Sequence, residues 1–201
     1  MFSKLLSHCA LILAFLTLQW RPTFLATIRC HDILARLTSV TTALGFETKH
    51  LLVEYRTFHG LTNVAPHHVP DATVVGSNFS EQLQDIFAKS VQYNKRIANV
   101  EDYQKNDWRN PKSVGEPLTQ VKTSLFSQMN LLKVLAQVIQ PDVPLMTAAP
   151  PPPADNHSYA KKMYGLRAIV GLGDWLSQVS QALKAAPEVC DVQVTATTES
   201  Y

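Results

Sequence analysis

Histidines, acidic residues and cysteines are the side chains of this chain that could bind a metal or catalyse a reaction. The adjacent histidines His67–His68 lie between two prolines in a predicted loop, and without a third ligand such a pair makes a weak metal site. Glu47–His50 matches the Glu-x-x-His pattern of di-iron helical bundles once, whereas those bundles need it on two helices together with two further glutamates. We interpret Glu47–His50 as part of a solvated polar helix face.

The sequence patterns of nucleophilic catalysis and phosphate binding are also missing. No Gly-x-Ser-x-Gly nucleophile elbow occurs in the chain. Gly171-Leu172-Gly173 lies inside a helical pattern with no strand before it, so it does not form a phosphate-binding turn. We therefore expect no enzyme activity, no catalytic residues, no cofactor and no bound metal.

The N-terminal segment is typical of a secretory signal peptide. Lys4 precedes the short apolar run Ala10–Leu18, which is too short to span a bilayer comfortably. We predict a signal peptide over residues 1–26, with a buried first helix of the domain as the alternative. No later segment reaches the roughly 18 unbroken apolar residues of a membrane helix, so we expect no membrane insertion.

Two N-glycosylation sequons agree with export. Asn78-Phe79-Ser80 and Asn156-His157-Ser158 both lie beside predicted loops. Together with the signal-like start, they predict a secreted, extracellular glycoprotein with Asn78 and Asn156 as glycosylation sites. The net charge of +2 and the absence of any lysine–arginine run longer than two give no sign of a nucleic-acid partner.

Export also limits which cysteines can pair. Cys9 lies in the predicted signal peptide, which leaves Cys30 and Cys190 in the mature chain. An even pair in an oxidising compartment can form one disulfide. Unpaired or intermolecular thiols are the alternative.

Four amphipathic helical patterns occupy most of residues 27–201, which we expect to form one domain. In each pattern apolar residues recur every three or four positions. The predicted helices are Ile28–His59, a second helix from Ser77 or Ser80 to about Tyr103, a third from Glu116 to about Ile139, and a fourth from Ser158 to before Pro187. We expect the tail Glu188–Tyr201 to be weakly structured, with a short extended piece around its valines.

The lengths of the connections predict how these helices are arranged. Residues 61–76 and 142–157 each reach about 50 Å when extended, enough to run along a helix about 37 Å long. The middle connection, residues 104–115, is shorter. This order of a long, a short and a long connection predicts an all-α, up-up-down-down four-helix bundle of the long-chain cytokine type with two long crossover loops. That arrangement would bring Cys30 and Cys190 to the same end.

The fourth predicted helix resembles the last helix of one branch of the interleukin-6 family, that of ciliary neurotrophic factor, cardiotrophin and leukaemia inhibitory factor. The resemblance lies in Tyr159–Arg167 (YAKKMYGLR) and Asp174–Ser177 (DWLS). In that branch an aromatic-x-x-Lys start precedes a Gly-Leu-basic step and a tryptophan near the middle of the helix. Ile33–Leu37, Glu54-Tyr55 and Gly60 partly resemble the first helix of the branch.

The resemblance implies a secreted cytokine that bridges class I cytokine receptor chains and signals through kinases bound to them. In the family, the aromatic and the lysine at the start of the last helix contact the leukaemia inhibitory factor receptor or its equivalent. By position these residues are Tyr159 and Lys162, with Lys161 beside them. Exposed faces of the first and third helices would meet the shared signalling receptor, and the ligand would be a monomer before assembly. The predicted signal peptide favours a cardiotrophin-like or macrophage-factor-like secreted paralogue.

Two alternatives remain beside this interpretation. A lysine in the first turn of a helix opposes the helix dipole by about 0.3–1 kcal/mol, so two lysines there are not a choice for stability. The helix start could nevertheless be ordinary surface, with Tyr159 packed under the proline-rich loop. A secreted helical lipid or small-ligand carrier is the alternative function, although the narrow apolar stripes and the rigid proline segment argue against it. Lipid-dependent helicity or a co-purified ligand would favour the carrier.

Overall fold

Helices form all the regular secondary structure of the described residues, and no strand occurs among them. A computed structural model describes residues 2–107 and 114–196, with side chains described for residues 30–106 and 114–191. The helices are α1 (Phe2–His59), α2 (Phe79–Asp107), α3 (Gly115–Ile139), α4 (Ser158–Lys184) and α5 (Pro187–Ala196). The predicted all-α fold with four long helices is confirmed.

Helix α1 begins much earlier than predicted. It starts at Phe2 instead of near Ile28, so the helical backbone continues through the predicted signal peptide. The leucines and alanines of that segment are strong helix formers, which accounts for the extension. The side chains of residues 2–29 lie outside the described part, and the signal peptide over residues 1–26 stays a prediction.

The expectation of a weakly structured, partly extended tail is wrong for the segment after Lys184. Residues 187–196 form the short helix α5, which packs against α1. Pro187 occupies the first helical position, where its missing N–H costs nothing, and Glu188 suits the positive end of the helix dipole. Alternating valines suggested a strand, but a proline at this position and an acidic first turn favour a helix.

The start of α2 is capped by a residue that the sequence analysis did not select. Asn78, and neither Ser77 nor Ser80, supplies the cap: its Oδ1 accepts the backbone N–H of Glu81 at 2.9 Å. In return the Glu81 carboxylate accepts the backbone N–H and the hydroxyl of Ser77, each at 2.8 Å. These bonds lower the pKa of Glu81 and form a reciprocal cap like a capping box.

The four long helices pack in pairs around a common core. Helix α1 packs on α3 and α4, and α2 also packs on α3 and α4. The largest fully buried side chains include Trp175, which lies outside the predicted apolar stripes, and eleven residues that belong to them: Leu37, Leu44, Leu51, Tyr55, Leu83, Ile86, Ile97, Leu118, Leu125, Leu132 and Leu135. A buried polar contact joins α1 and α3 in this core, where the Gln128 amide donates to the Thr41 hydroxyl at 2.9 Å.

The connection between α1 and α2 lies against α4 because of a glycine. A Cβ on Gly171 would come within 3.0 Å of Pro70 Cδ and 3.1 Å of the Tyr93 hydroxyl. Such contacts are tighter than ordinary packing, so a larger residue would push the loop and Tyr93 away by a few tenths of an ångström. Gly171-Leu172-Gly173 lies within α4, as predicted. The role of Gly171 is to leave room for the loop that packs against this helix.

A disulfide joins Cys30 of α1 to Cys190 of α5, and its predicted pairing is confirmed. The two Cα atoms are 5.8 Å apart, within the usual range for a disulfide. Both cysteines are buried. Beside them, His31 Nε2 lies 2.9 Å from Asp191 Oδ1 at the surface, so a second contact links the same two helices.

Candidate functional site

The start of α4 lacks the features that usually stabilise a helix N-terminus. His157 occupies the cap position without any side-chain hydrogen bond to the helix, and the first turn contains no acidic residue. Instead, Lys161 and Lys162 lie close to the positive end of the helix dipole. Local stability therefore does not explain these residue types, and contacts with other helices or with a partner must be considered.

Tyr159 is the most exposed of the predicted contact residues. Its side chain is 65% exposed, one of the largest exposures of an apolar or aromatic residue among the described positions. It lines a surface groove next to the proline-rich connection and is not covered by that loop. Tyr159 is therefore not packed under the loop, and this part of the alternative is wrong; whether the helix start is ordinary surface or a contact site stays a prediction.

Lys161 faces α2. Its Nζ lies 5.3 Å from the centre of the Tyr103 ring, a cation–π contact. Tyr103 is itself held in place, since its ring meets Tyr164 edge-on at 5.8 Å and its hydroxyl accepts the backbone N–H of Ala154 at 3.0 Å. Lys161 is thus packed on an intramolecular aromatic cluster.

Lys162 faces the end of α1. Its backbone carbonyl accepts the Tyr55 hydroxyl at 3.1 Å, and its ammonium group is close enough to His59 to affect the pKa of that ring. Because residues three apart share a helix face, Lys162 and Tyr159 are neighbours on the surface. Helical spacing therefore places Tyr159 and Lys162 on one face of α4, whereas Lys161 lies against Tyr103 of α2.

His59 is a buried histidine that the sequence analysis did not single out. Its side chain is only 8% exposed, and burial, reinforced by the Lys162 ammonium, lowers its pKa to about 4. The ring is therefore neutral at neutral pH, and its Nε2 can accept an N–H from the Gln104 amide 2.7 Å away. This contact joins the ends of α1 and α2 directly below the start of α4.

Gly165 is the second residue whose role only the structure reveals. A Cβ at this position would lie 2.1 Å from the Tyr55 hydroxyl and 2.5 Å from Cζ of the same ring. Glycine therefore allows Tyr55 to lie flat against α4 and to reach the Lys162 carbonyl. The Gly-Leu step in the sequence was noticed as part of a motif, but its partner lies 110 positions earlier in the chain.

Both predicted glycosylation sites are exposed at helix starts. Asn78 caps α2, and Asn156 lies two residues before α4 begins. A glycan is attached through the amide nitrogen, so the Oδ1 of Asn78 can keep its capping bond. Glycosylation of either residue stays a prediction.

The motifs that could have indicated metal binding do not assemble into a cluster. Within the described residues, no group of three or more histidine, cysteine, aspartate or glutamate side chains could hold a metal ion. His67 and His68 are both exposed. Glu47 instead accepts a hydrogen bond from Gln120 of α3 at 3.1 Å, so it joins two helices.

Among residues 2–107 and 114–196, no helix combines the length and apolar character needed to cross a bilayer.

Comparison of the chain with protein-family models, with curated proteins and with solved structures gave no significant match. The function is therefore argued from the exposed Tyr159, the half-buried Lys162 beside it and the packing beneath them.

Proposed function

We propose that this protein is a secreted cytokine of the interleukin-6 family type, which binds class I cytokine receptors. In this proposal the start of α4 binds a leukaemia inhibitory factor receptor-like chain, and other faces bind the shared signalling receptor. The observation that carries the proposal is the strongly exposed Tyr159 beside Lys162, on a helix start whose residue types do not favour its own stability. An exposed aromatic next to a cation has the composition of an interface hot spot.

An up-up-down-down arrangement of the four long helices is part of this proposal. Cys30, in the middle of α1, contacts Cys190 beyond the end of α4, while Tyr55 near the end of α1 contacts Lys162 at the start of α4. These two contacts support antiparallel α1 and α4. The long connections on either side of the pair α2 and α3 fit two crossovers.

The contacts of α2 and α3 support the same arrangement. The last residue of α1, His59, meets Gln104 near the end of α2, as expected if α1 and α2 are parallel. Helix α3 meets α1 in reverse order along the two helices, through the hydrogen-bonded pairs Thr41–Gln128 and Glu47–Gln120. In this arrangement, the start of α4 and the ends of α1 and α2 lie at one end of the molecule.

The double variant Tyr159→Ala/Lys162→Ala tests the proposed contact. We expect it to lose receptor signalling, measured as phosphorylation of the downstream transcription factors in cells that carry the candidate receptors. Its helicity and Tm should stay close to those of the wild type, because Tyr159 is exposed and the Lys162 contact with Tyr55 uses the backbone carbonyl. Full signalling by this variant would contradict the assignment.

Lys184→Ala is the matched control for the loss of charge. Lys184 is an exposed lysine in the last turn of the same helix, at the other end from Lys162. Its substitution removes one positive charge without touching the proposed contact, so signalling should be retained. Equal losses in both variants would point to a general charge effect and not to a contact at the start of α4.

A further inference from the structure

A surface groove adjoins Tyr159, and Lys162 is not among the residues that line it. Its volume is about 410 Å³, at the lower end of the range of ligand pockets. Helix α4, helix α2, the proline-rich connection before α4 and the loop after α1 all contribute to it. The residues that matter here are His68, Arg96, Pro152, Tyr159, Met163 and Arg167.

Two arginines give this groove its charge. Arg96 comes from α2 and Arg167 from α4, and both are partly exposed. Among the described residues, no carboxylate oxygen lies within 4.0 Å of either guanidinium group. The Nε of Arg167 is buried and has no hydrogen-bond partner among the described residues.

Arg96 is held against the wall of the groove. Burial raises the pKa of the Tyr164 hydroxyl, and hydrogen bonding by Asn99 and Arg96 acts in the opposite direction. The Asn99 amide donates to the same hydroxyl at 3.2 Å. The Arg96 guanidinium therefore lies close to the Tyr164 hydroxyl, at the wall of the groove.

We propose that this groove takes the carboxylate of an aspartate or glutamate side chain from the receptor chain that contacts Tyr159 and Lys162. The inference rests on the function proposed above and adds the chemistry of the partner. A planar guanidinium binds a carboxylate through two parallel N–H bonds, and two arginines on facing helices can share one acid. Tyr159 belongs both to the groove and to the proposed contact, so the two surfaces are continuous.

The composition of the groove favours a protein acid over a sulfated sugar chain. Asp155 lines the same groove and would repel a ligand with several negative charges. Met163 and Pro152 add apolar surface, which suits the aliphatic part of a glutamate or aspartate side chain. One singly charged carboxylate therefore fits the two arginines better than a polysulfate.

The test variant is Arg96→Gln/Arg167→Gln, and the control is Lys95→Gln/Lys184→Gln. The control removes two positive charges from exposed lysines of the same two helices, as many as the test variant removes. Binding of the intact protein to the soluble ectodomain of the leukaemia inhibitory factor receptor-like chain is measured by surface plasmon resonance at several salt concentrations. We expect the arginine variant to bind about tenfold to a hundredfold more weakly and with less dependence on salt. The lysine control should bind with an affinity within about threefold of the wild type.

A second variant separates charge from geometry. Arg167→Lys keeps the positive charge but loses the planar group, so its affinity should fall between those of the wild type and the double variant. Circular dichroism and Tm are recorded for every variant. A folded arginine variant that binds as tightly as the wild type overturns the inference and leaves the proposed function standing.

Two other outcomes are distinguishable. If the wild type does not bind the receptor ectodomain, the proposed function fails, and the inference fails with it. Suppose that the arginine variant elutes from heparin at lower salt than the lysine control yet keeps full receptor affinity. The groove then binds a sulfated glycan, and the proposal that it binds a carboxylate of the receptor chain is wrong.

Discussion

Tyr55 and Gly165 make the contact on which the position of the α4 start depends. The tyrosine is fully buried and donates its hydroxyl to the Lys162 carbonyl, and burial raises its pKa well above the ordinary value. The glycine provides the space for the ring. Neither residue touches the proposed partner, but both decide where Tyr159 and Lys162 lie.

Gly165→Ala should destabilise the protein by about 1–3 kcal/mol, because the new Cβ forces the buried Tyr55 ring to move. Gly173→Ala is the control in the same helix, since its Cβ would meet nothing closer than Thr48 Cγ2 at 3.9 Å. Replacing this glycine should stabilise the helix by up to about 1 kcal/mol. Urea unfolding measures the free energy of unfolding of both variants. If Gly165→Ala and Gly173→Ala change it by the same amount, the Tyr55 ring can move aside and does not require glycine at position 165.

His59 should make stability depend on pH in a defined range. Its folded pKa of about 4 lies below the ordinary value of 6.5, so the unfolded chain takes up a proton at a higher pH than the folded protein does. The free energy of unfolding should therefore fall as the pH falls from about 6.5 to 4 and be insensitive to this group above pH 7.

The variant His59→Gln measures this contribution. Glutamine cannot take up the proton, so the fall in stability between pH 7 and pH 4.5 should be smaller in the variant than in the wild type. Glu101 also titrates, and although burial raises its pKa, its bonds to Lys122 and Lys105 lower it overall. Because Glu101 is present in both proteins, it cancels in the comparison. Parallel stability curves would contradict the role of His59.

At the scale of elements, apolar spacing was enough to predict where the long helices lie. It did not predict how each helix begins or ends, because the helix ends depend on side-chain contacts. The pattern placed α2, α3 and α4 within a few residues of their observed bounds. It missed α5, because alternating valines suggest a strand when the proline before them is ignored. It also chose serine as the cap of α2, since Ser77, Asn78 and Ser80 are all good caps and only the backbone geometry distinguishes them.

The double role of Asn78 can be tested with two variants that remove the same sequon. Asn78→Gln removes both the glycan and the cap, whereas Ser80→Ala removes only the glycan. Both proteins should lose the same mass when expressed in a glycosylating host. After enzymatic deglycosylation of the wild type, only Asn78→Gln should be less stable, by about 1 kcal/mol in urea unfolding. A fully stable Asn78→Gln variant would show that the cap is dispensable.

At the scale of the whole molecule, contacts between distant segments were the hardest features to predict. The pairing of Cys30 with Cys190 followed from export and from the expected helix order. By contrast, Tyr55 with Gly165 and His59 with Gln104 depend on how far each helix rotates about its axis, which apolar spacing fixes only coarsely. Tyr159 and Lys162 were predicted from the family resemblance together with their unusual place at a helix start, whereas Arg96 and Arg167 come from different helices and share no sequence motif.

The disulfide should contribute to global stability. Replacing both cysteines, Cys30→Ser/Cys190→Ser, removes a link between segments 160 residues apart. We expect the free energy of unfolding, measured with urea, to fall by about 2–5 kcal/mol. The helicity should be retained, because the four long helices pack on one another without the disulfide. Reduction of the wild type should give the same loss, and an unchanged midpoint on reduction would contradict a stabilising role.

The same disulfide determines where the protein can be attached to a surface. Helix α4 contains 27 residues and is therefore about 40 Å long, so Cys190 and its partner lie that far from Tyr159. A biotin or affinity tag fused shortly before Cys30 or after Cys190 would hold the molecule by one end and leave the groove and the exposed aromatic pointing into solution. Oriented immobilisation of this kind needs no internal labelling site.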